Sequence, residues 1–532
     1  MANEYGNYAT LNPLNQSKNT AAATISNGNL KFGSTSTSTI DSIGSTLLIP
    51  TEDQFYYFEL TYHNPDTNYP YFMVHNATNL RSTDNWRAGG ASYNPQGNAT
   101  TGEGVTLATN HYYVDGSDTK VSYSSSAYNS TTNGDVRQIR FNGGTGEIQT
   151  DVNNSGTYIT IDTLPAFGPF IVALGSGNTN EGTINFGATA FAYGPESGDK
   201  LLATQNLPEP AVINYEDEYY IQAGISHSNG STTAVTLPKT VSGGAMARIK
   251  RTDSAGDWYV VDTVRGANKF FLWNDGAVED TSTWSDQNLT GTTLTLPSAL
   301  ATGTYLIEVF FEGSYFDIDL NVGTGSAKAV AHSMGNDVGF GYWKNRETAG
   351  NGGIAYHASL GGTKWMFPPD NRAVTTSDVM FNNVDATSSA ATVGTASNVN
   401  ENTKNIVRYL WANSGPYAFG RYTGNLNANG PMINVGGFPQ TVFIKRNENS
   451  WDWALESEAL QANNVKYDFL RPNQTTAVTS SSTTNEMDFL SNGFKIRDGN
   501  NNSMNGSGIE HLYFAFGIQP LTDGAVNQGR AK

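Results

Sequence analysis

Two Lys-Arg pairs, Lys250-Arg251 and Lys445-Arg446, are residues whose types and spacing could hold a carboxylate or a sulfate. In an extended strand the two side chains of a pair point to opposite faces. The simpler expectation is therefore local pairing, or packing of each aliphatic stem on a neighbouring aromatic. Asp317-Ile318-Asp319 sets two acids on one strand face, and glycoside hydrolysis needs two acids on opposite sides of a sugar. A solvated strand face, or a loose calcium ligand pair, is the plainer reading. No Asp-x-Asp-x-Asp-Gly loop accompanies it. Of the 7 histidines, which include His227, His332, His357 and His511, no pair has the spacing of a metal motif, and there is no Cys to complete one. Gly350-Asn351-Gly352-Gly353 lacks the Lys-Ser/Thr that completes a phosphate loop and reads as a hairpin tip. The expectation is no catalytic residue, no metal and no cofactor, in a chain that is not an enzyme.

Binding chemistry is better represented. Trp86, within Asp84-Asn85-Trp86-Arg87-Ala88-Gly89-Gly90, and Tyr93, before Asn94-Pro95, stand in loop-like sequence. Trp365 precedes Met366-Phe367-Pro368-Pro369. Aromatics on loops suit sugar stacking or protein contact. The competing reading is a loop folded back onto its own sandwich. Trp86 and Tyr93 are the leading candidate binding residues, with Trp365 next.

The elements that must carry these residues are strands. The chain has 532 residues, 15% of them charged, with 56 Gly and 11% aromatics. Thr, Tyr, Phe and Val suit a pleated surface, and Gly and Asn suit the turns between strands. The net charge of −18 opposes binding to nucleic-acid phosphates and to anionic membranes. The start, Met-Ala-Asn-Glu-Tyr-Gly, shows no basic stretch followed by an apolar one, and no apolar run approaches the roughly 18 residues of a spanning helix. The expectation is synthesis in the host cytoplasm without a signal peptide or membrane insertion.

Strand-like runs such as Phe55 to Tyr62 and Tyr158 to Asp162 alternate with turn chemistry at Asn133-Gly134-Asp135 and Asn142-Gly143-Gly144. Trp453 to Gln461 is a short helical candidate. Leu207-Pro208-Glu209-Pro210 reads as a linker. Beyond it come three related units, anchored by Lys250, Lys344 and Lys445, which stand 94 and 101 residues apart. A Gly-containing strand opens each unit, at Gly224, Gly323 and Gly420. An aromatic-rich strand closes each, at Tyr305 to Phe310, Val407 to Trp411 and Leu512 to Phe516. The expected fold is all-β: tandem β-sandwiches in a row, over residues 1–207, 211–317, 318–415 and 416–532. Phe58, Phe186, Trp258, Trp411, Phe443 and Phe514 are the expected core.

Two resemblances rest on these residues. The segment from about 5 to 205 resembles a SPRY (B30.2-like) domain, a concanavalin-type sandwich. It does so through Phe58-Glu59, through Val136 to Phe141 before Asn142-Gly143, and through Ile184-Asn185-Phe186-Gly187. An aromatic strand at Phe191-Ala192-Tyr193 and Gly198-Asp199-Lys200-Leu201-Leu202 follow. The three repeats resemble the β-sandwich repeat of tail-fibre-like and other structural proteins of marine phages. The carrying residues are Lys250-Arg251-Thr252-Asp253 with Trp258, Ser359 to Lys364, Phe381-Asn382-Asn383, Asp488 to Arg497, and Tyr513-Phe514-Ala515-Phe516. That resemblance implies a bacteriophage virion surface protein: a tail fibre or receptor-binding component attaching to a host-surface glycan or protein. The alternatives are a capsid decoration or head-fibre protein and, less favoured, a polysaccharide-degrading enzyme. The implied partners are other virion proteins and copies of itself, as in a trimer.

Overall fold

The computed structural model describes residues 8–520, apart from 17–22, 35–40, 67–69, 77–103, 115–119, 165–169, 178, 204–205, 208–213, 449, 482–484 and 500–501. The described chain is nearly all strand. Its α-helices, Asp378–Phe381, Ser397–Asn400 and Asn502–Asn505, are four residues each. Two compact units are present, one built on residues up to Glu209 and one on Pro210–Ala428 with Gly437–Pro520.

The first unit is a sandwich of two sheets, antiparallel except where Lys200–Leu201 pairs in parallel with Phe55–His63. One holds Tyr71–Asn76 and Phe170–Ser176; the other holds Phe55–His63, Val136–Asn142 and Glu181–Asn185. Alternate residues of each strand enter the core between them: Phe58 and Leu60 from one sheet, Phe72, Val74 and Val172 from the other. Phe58 lies 5.8 Å from both Phe72 and Phe186. Arg137 is fully buried, yet its charge is satisfied. It donates to the Tyr62 hydroxyl at 2.9 Å and to the carbonyls of Ala108, Thr109 and Tyr128 at 3.0–3.2 Å.

In the second unit each repeat has a main sheet in which the aromatic strand lies inside, second from one edge: Gly303–Phe311, Asn405–Ala412 and Glu510–Phe516. These strands bury both faces. Leu306 and Phe310 point one way, and Tyr305, Ile307, Val309 and Phe311 the other. The second face of the first repeat closes on its own small sheet, Thr233–Val241 paired with Asn288–Leu296. The second repeat closes likewise on Lys328–Ala331 paired with Ala390–Val393.

The first faces of all three main sheets meet in one core. Pairing registers identify equivalent positions. Phe310, Trp411 and Phe516 stand opposite Met246, Phe340 and Thr441. Their rings form a triangle with centroid separations of 5.3, 5.5 and 6.3 Å. Aromatic pairs at such distances add about 0.5–1.5 kcal/mol each beyond the area they bury. The repeats are therefore not beads in a row. They are arranged about a pseudo-three-fold axis, because their aromatic strands are apolar on both faces and the second apolar face needs a cover.

Backbone bonds close the ring. The Glu279 amide of the first repeat donates to the Arg346 carbonyl of the second at 2.9 Å. Val374 of the second donates to Asn447 of the third at 3.1 Å, and Val478 of the third to Thr252 of the first at 3.0 Å. Each acceptor lies two residues past an anchoring lysine. The six residues expected in the core are all buried. Trp453 to Gln461 is not helical: Ala454–Ser457 is a strand paired with Thr441–Arg446, and Trp453 and Leu455 face the shared core. Alternation with the sheet overrode a weak local helical preference.

Candidate functional site

The chemistry-bearing residues are engaged within the fold. Lys250, Lys344 and Lys445 are buried at equivalent places beside the joints of the ring. Lys250 donates to the carbonyls of Gly256 and Thr475 at 2.5 and 2.9 Å, so it ties the first repeat to the third. Lys445 reaches the carbonyl of Trp451 at 3.2 Å and, across the joint to the second repeat, that of Asn371 at 3.5 Å. Lys344 donates to Asn351 at 3.1 Å, inside the Gly350 to Gly353 loop. Burial holds all three amines down to about 8. Arg251 turns to Asp253 at 2.8 Å, and the Arg446 guanidinium lies 5.6 Å from the Trp451 ring.

Asp317 and Asp319 share a face, and Arg408 stands between them, 2.7 Å from the first and 3.8 Å from the second. The guanidinium also donates to the carbonyls of Val330 and Ala331. The two carboxylates are thus partners of one cation. His357 accepts from the Ser359 amide at 3.1 Å, and its other ring nitrogen lies 3.3 Å from the Tyr513 carbonyl. Burial pushes its pKa down to about 4, so it is neutral at pH 7. Gly353 stands where the other repeats have Trp258 and Trp453. A Cβ there would lie 1.9 Å from the Tyr342 hydroxyl, and Tyr342 instead stacks on Trp273 of the first repeat at 4.1 Å.

Trp365 is half-buried in the short strand Lys364–Trp365. It packs on the outer core of its own repeat, with the Phe367 ring 6.4 Å away. Trp86 and Tyr93 lie outside the described residues.

Two surface features went unread in the sequence. The first is a cavity of about 430 Å³ at the joint of the third repeat with the first. Ala223, Gly224, Thr252, Asp253 and Thr304 line one wall, and Ala459, Leu460 and Val478 the other. Its walls come from distant parts of the sequence, so no local pattern could mark it. At the joint of the first repeat with the second, the corresponding partners are Arg346 and Glu279, and their side chains close into a two-pronged ion pair at 2.7 and 3.0 Å.

The second feature is Tyr193, 44% exposed. The expected aromatic strand Phe191 to Tyr193 is a non-strand loop. The Glu59 carboxylate holds it, accepting from the amides of Ala192, Tyr193 and Gly194 at 2.7–3.0 Å and from the Tyr57 hydroxyl at 2.8 Å. A carboxylate that collects three amides fixes an irregular loop as firmly as a strand would. The Phe58-Glu59 pair was its sequence signal.

Residues 311–520 match the family model of DUF7483, a domain of unknown function. The match spans the second and third repeats of the ring. No curated protein matches the chain. Among solved structures, the PSpry domain of TRIM65 is similar at 9% identity, with a TM-score of 0.25, over 34% of this chain and 89% of that one. The SPRY domain of human HERC1 is similar at 10% identity, with a TM-score of 0.24, over 34% of this chain and 99% of that one. Stonustoxin is similar at 16% identity, with a TM-score of 0.24, over 34% of this chain and 27% of that one. Likenesses of this strength carry no argument about function.

Proposed function

We propose that the chain is a bacteriophage virion surface protein that acts by non-covalent binding, as a tail-fibre or receptor-binding component that attaches the particle to a host-surface glycan or protein. The observation that carries this reading is the closed ring of the second unit. Long attachment fibres commonly need a coiled stalk to bring three chains together, and no heptad stalk is visible in this sequence. Three repeats about a pseudo-three-fold axis supply a three-fold platform within one chain, so the missing stalk no longer counts against attachment. The buried Lys250 and Lys445 point the same way, since their amines are committed to carbonyls across the joints of the ring. Recognition then falls to loops and joints, where residues vary without disturbing the sheets.

Gold-labelled antibody against the purified chain, viewed on intact particles, tests the reading. Label at the tail tip, together with competition of adsorption by the free protein, is the expected result. Label over the capsid with no competition would replace attachment with the capsid-decoration role. Absence of label from the particle would overturn both.

A further inference from the structure

The outer layer of the third repeat differs from the other two at one position, where Val261 and Tyr356 give way to Glu456. Where the first repeat packs Ala245, Ala247, Ile249 and Val261 behind its main sheet, and the second Trp343, Ile354 and Tyr356, the third buries Glu456. Glu456 sits in the strand Ala454–Ser457, beside Leu455, which faces the shared core, and so points to the opposite side. It is fully buried, and neither carboxylate oxygen has a hydrogen-bond partner. Buried polar atoms are almost always paired, and an unpaired ionised carboxylate in such a place is costly.

Its electrostatic neighbours oppose ionisation. Asp498, Glu486 and Asp488 are like charges, and Tyr422, on the strand Tyr417–Thr423 of the same sheet, is a further acid. Among the described residues, Lys466 is the cation whose charge favours the carboxylate. Its ammonium is already committed to Glu458 at 2.8 Å and to the Gln461 carbonyl. Arg497 is 2.5 Å from Asp488, and burial brings Lys495 down to about 7. Arg446 and His511, on adjacent strands of the main sheet, complete the charged or titratable groups. Among the described residues no three acids or histidines converge as metal ligands would. The group that neutralises Glu456 is then a proton.

We propose that the outer hairpin of the third repeat, Met487–Leu490 with Gly493–Ile496, is latched by a proton on Glu456 and loosens from the main sheet when that proton leaves. Burial, with the acids around it, lifts the Glu456 carboxyl well above the ordinary carboxylate range. A carboxyl raised in the folded state binds its proton more tightly there than in the unfolded chain. Its contribution is complete at low pH and is lost as pH rises through the folded value. The device concerns stability within one repeat and is independent of the attachment reading.

Amide hydrogen exchange on the full chain at pH 6 and pH 8.5, corrected for the intrinsic rate, tests it. The internal reference is the outer two-stranded sheet of the first repeat, Thr233–Val241 with Asn288–Leu296. The expected result is about a tenfold loss of protection in the third-repeat hairpin relative to the reference at the higher pH. Glu456→Gln, which keeps the shape and removes the charge, should abolish the difference. Should that variant fail to fold, Glu456→Leu serves in its place, and the wild-type comparison already decides. Equal protection of the hairpin and the reference sheet at both pH values, or an unchanged pH response in a folded Glu456 variant, would overturn the proposal.

Discussion

The two faces of the three main sheets follow different rules. Inward, the repeats meet in a shared core of stacked and edge-on aromatics, where Phe310, Trp411 and Phe516 play equivalent parts. Outward, each repeat has its own layer, which holds the Arg408–Asp317 pair in the second repeat and the buried Glu456 in the third. The inner face makes three repeats into one body, while the outer faces are free to differ. A repeat that has given one apolar face to its neighbours can carry a polar interior on the other, since the common core supplies much of its stability.

Inside the common core, one place breaks the aromatic pattern. Where the second and third repeats put Tyr342 with Tyr409 and Phe443 with Phe514, the first pairs Arg248 with Glu308 at 2.8 Å. The guanidinium lies 4.6 Å from the Phe443 ring and 4.9 Å from that of Trp273, and Tyr219 donates to Glu308 at 2.7 Å. Glu308→Ala leaves the buried Arg248 without its counter-charge, and breaking such a pair costs about 3–5 kcal/mol. Urea titration should show this loss across the whole second unit. The double change Arg248→Met, Glu308→Leu should restore most of it. No recovery in the double variant would mean that the pair contributes something apolar packing cannot replace.

Acid should weaken the inner face. The pKa of His357 is held near 4 by burial, while the unfolded chain titrates near its ordinary 6.5. Between those values the unfolded chain binds more protons, so stability is present above pH 6.5 and falls as pH drops toward 4. The full span is worth about 3 kcal/mol. Unfolding free energies at pH 7 and 4.5, compared between wild type and His357→Gln, isolate this share from that of the other histidines. Identical slopes would remove His357 from the inner core's energetics.

A smaller, local effect is expected at the outer face. Trp365→Ala removes a half-buried ring from the outer core of the second repeat and should cost about 1–2 kcal/mol. Exchange should rise in Lys328–Ala331 and Ala390–Val393 and leave the first and third repeats alone. If the variant lost host binding with no change in exchange, Trp365 would belong to a contact surface instead of the layer.

The three repeats and their aromatic strands were legible in the sequence because equivalent residues recur in order. Their ring was not read, although its signal was present. In Tyr305 to Phe311 and Leu512 to Phe516 both alternating sets are largely apolar, which a sandwich with a wet outer face does not need. The Glu59 loop was hidden for another reason. Its backbone bonds are made to a side chain, so Phe191 to Tyr193 looks like a strand by composition. The cavity between Thr252 and Val478 depends on a joint closed by residues more than two hundred positions apart, and no local spacing encodes it.

The central claim is that three repeats form one cooperative body. Phe516→Ala, in the third repeat, with amide exchange followed strand by strand, tests it most directly. Removing a buried Phe costs about 3–5 kcal/mol. The ring predicts that protection falls by a similar free energy in Gly303–Phe311 and Asn405–Ala412 as in Glu510–Phe516 itself. Full protection of the first two strands beside a loosened third would contradict it and return the repeats to independent sandwiches.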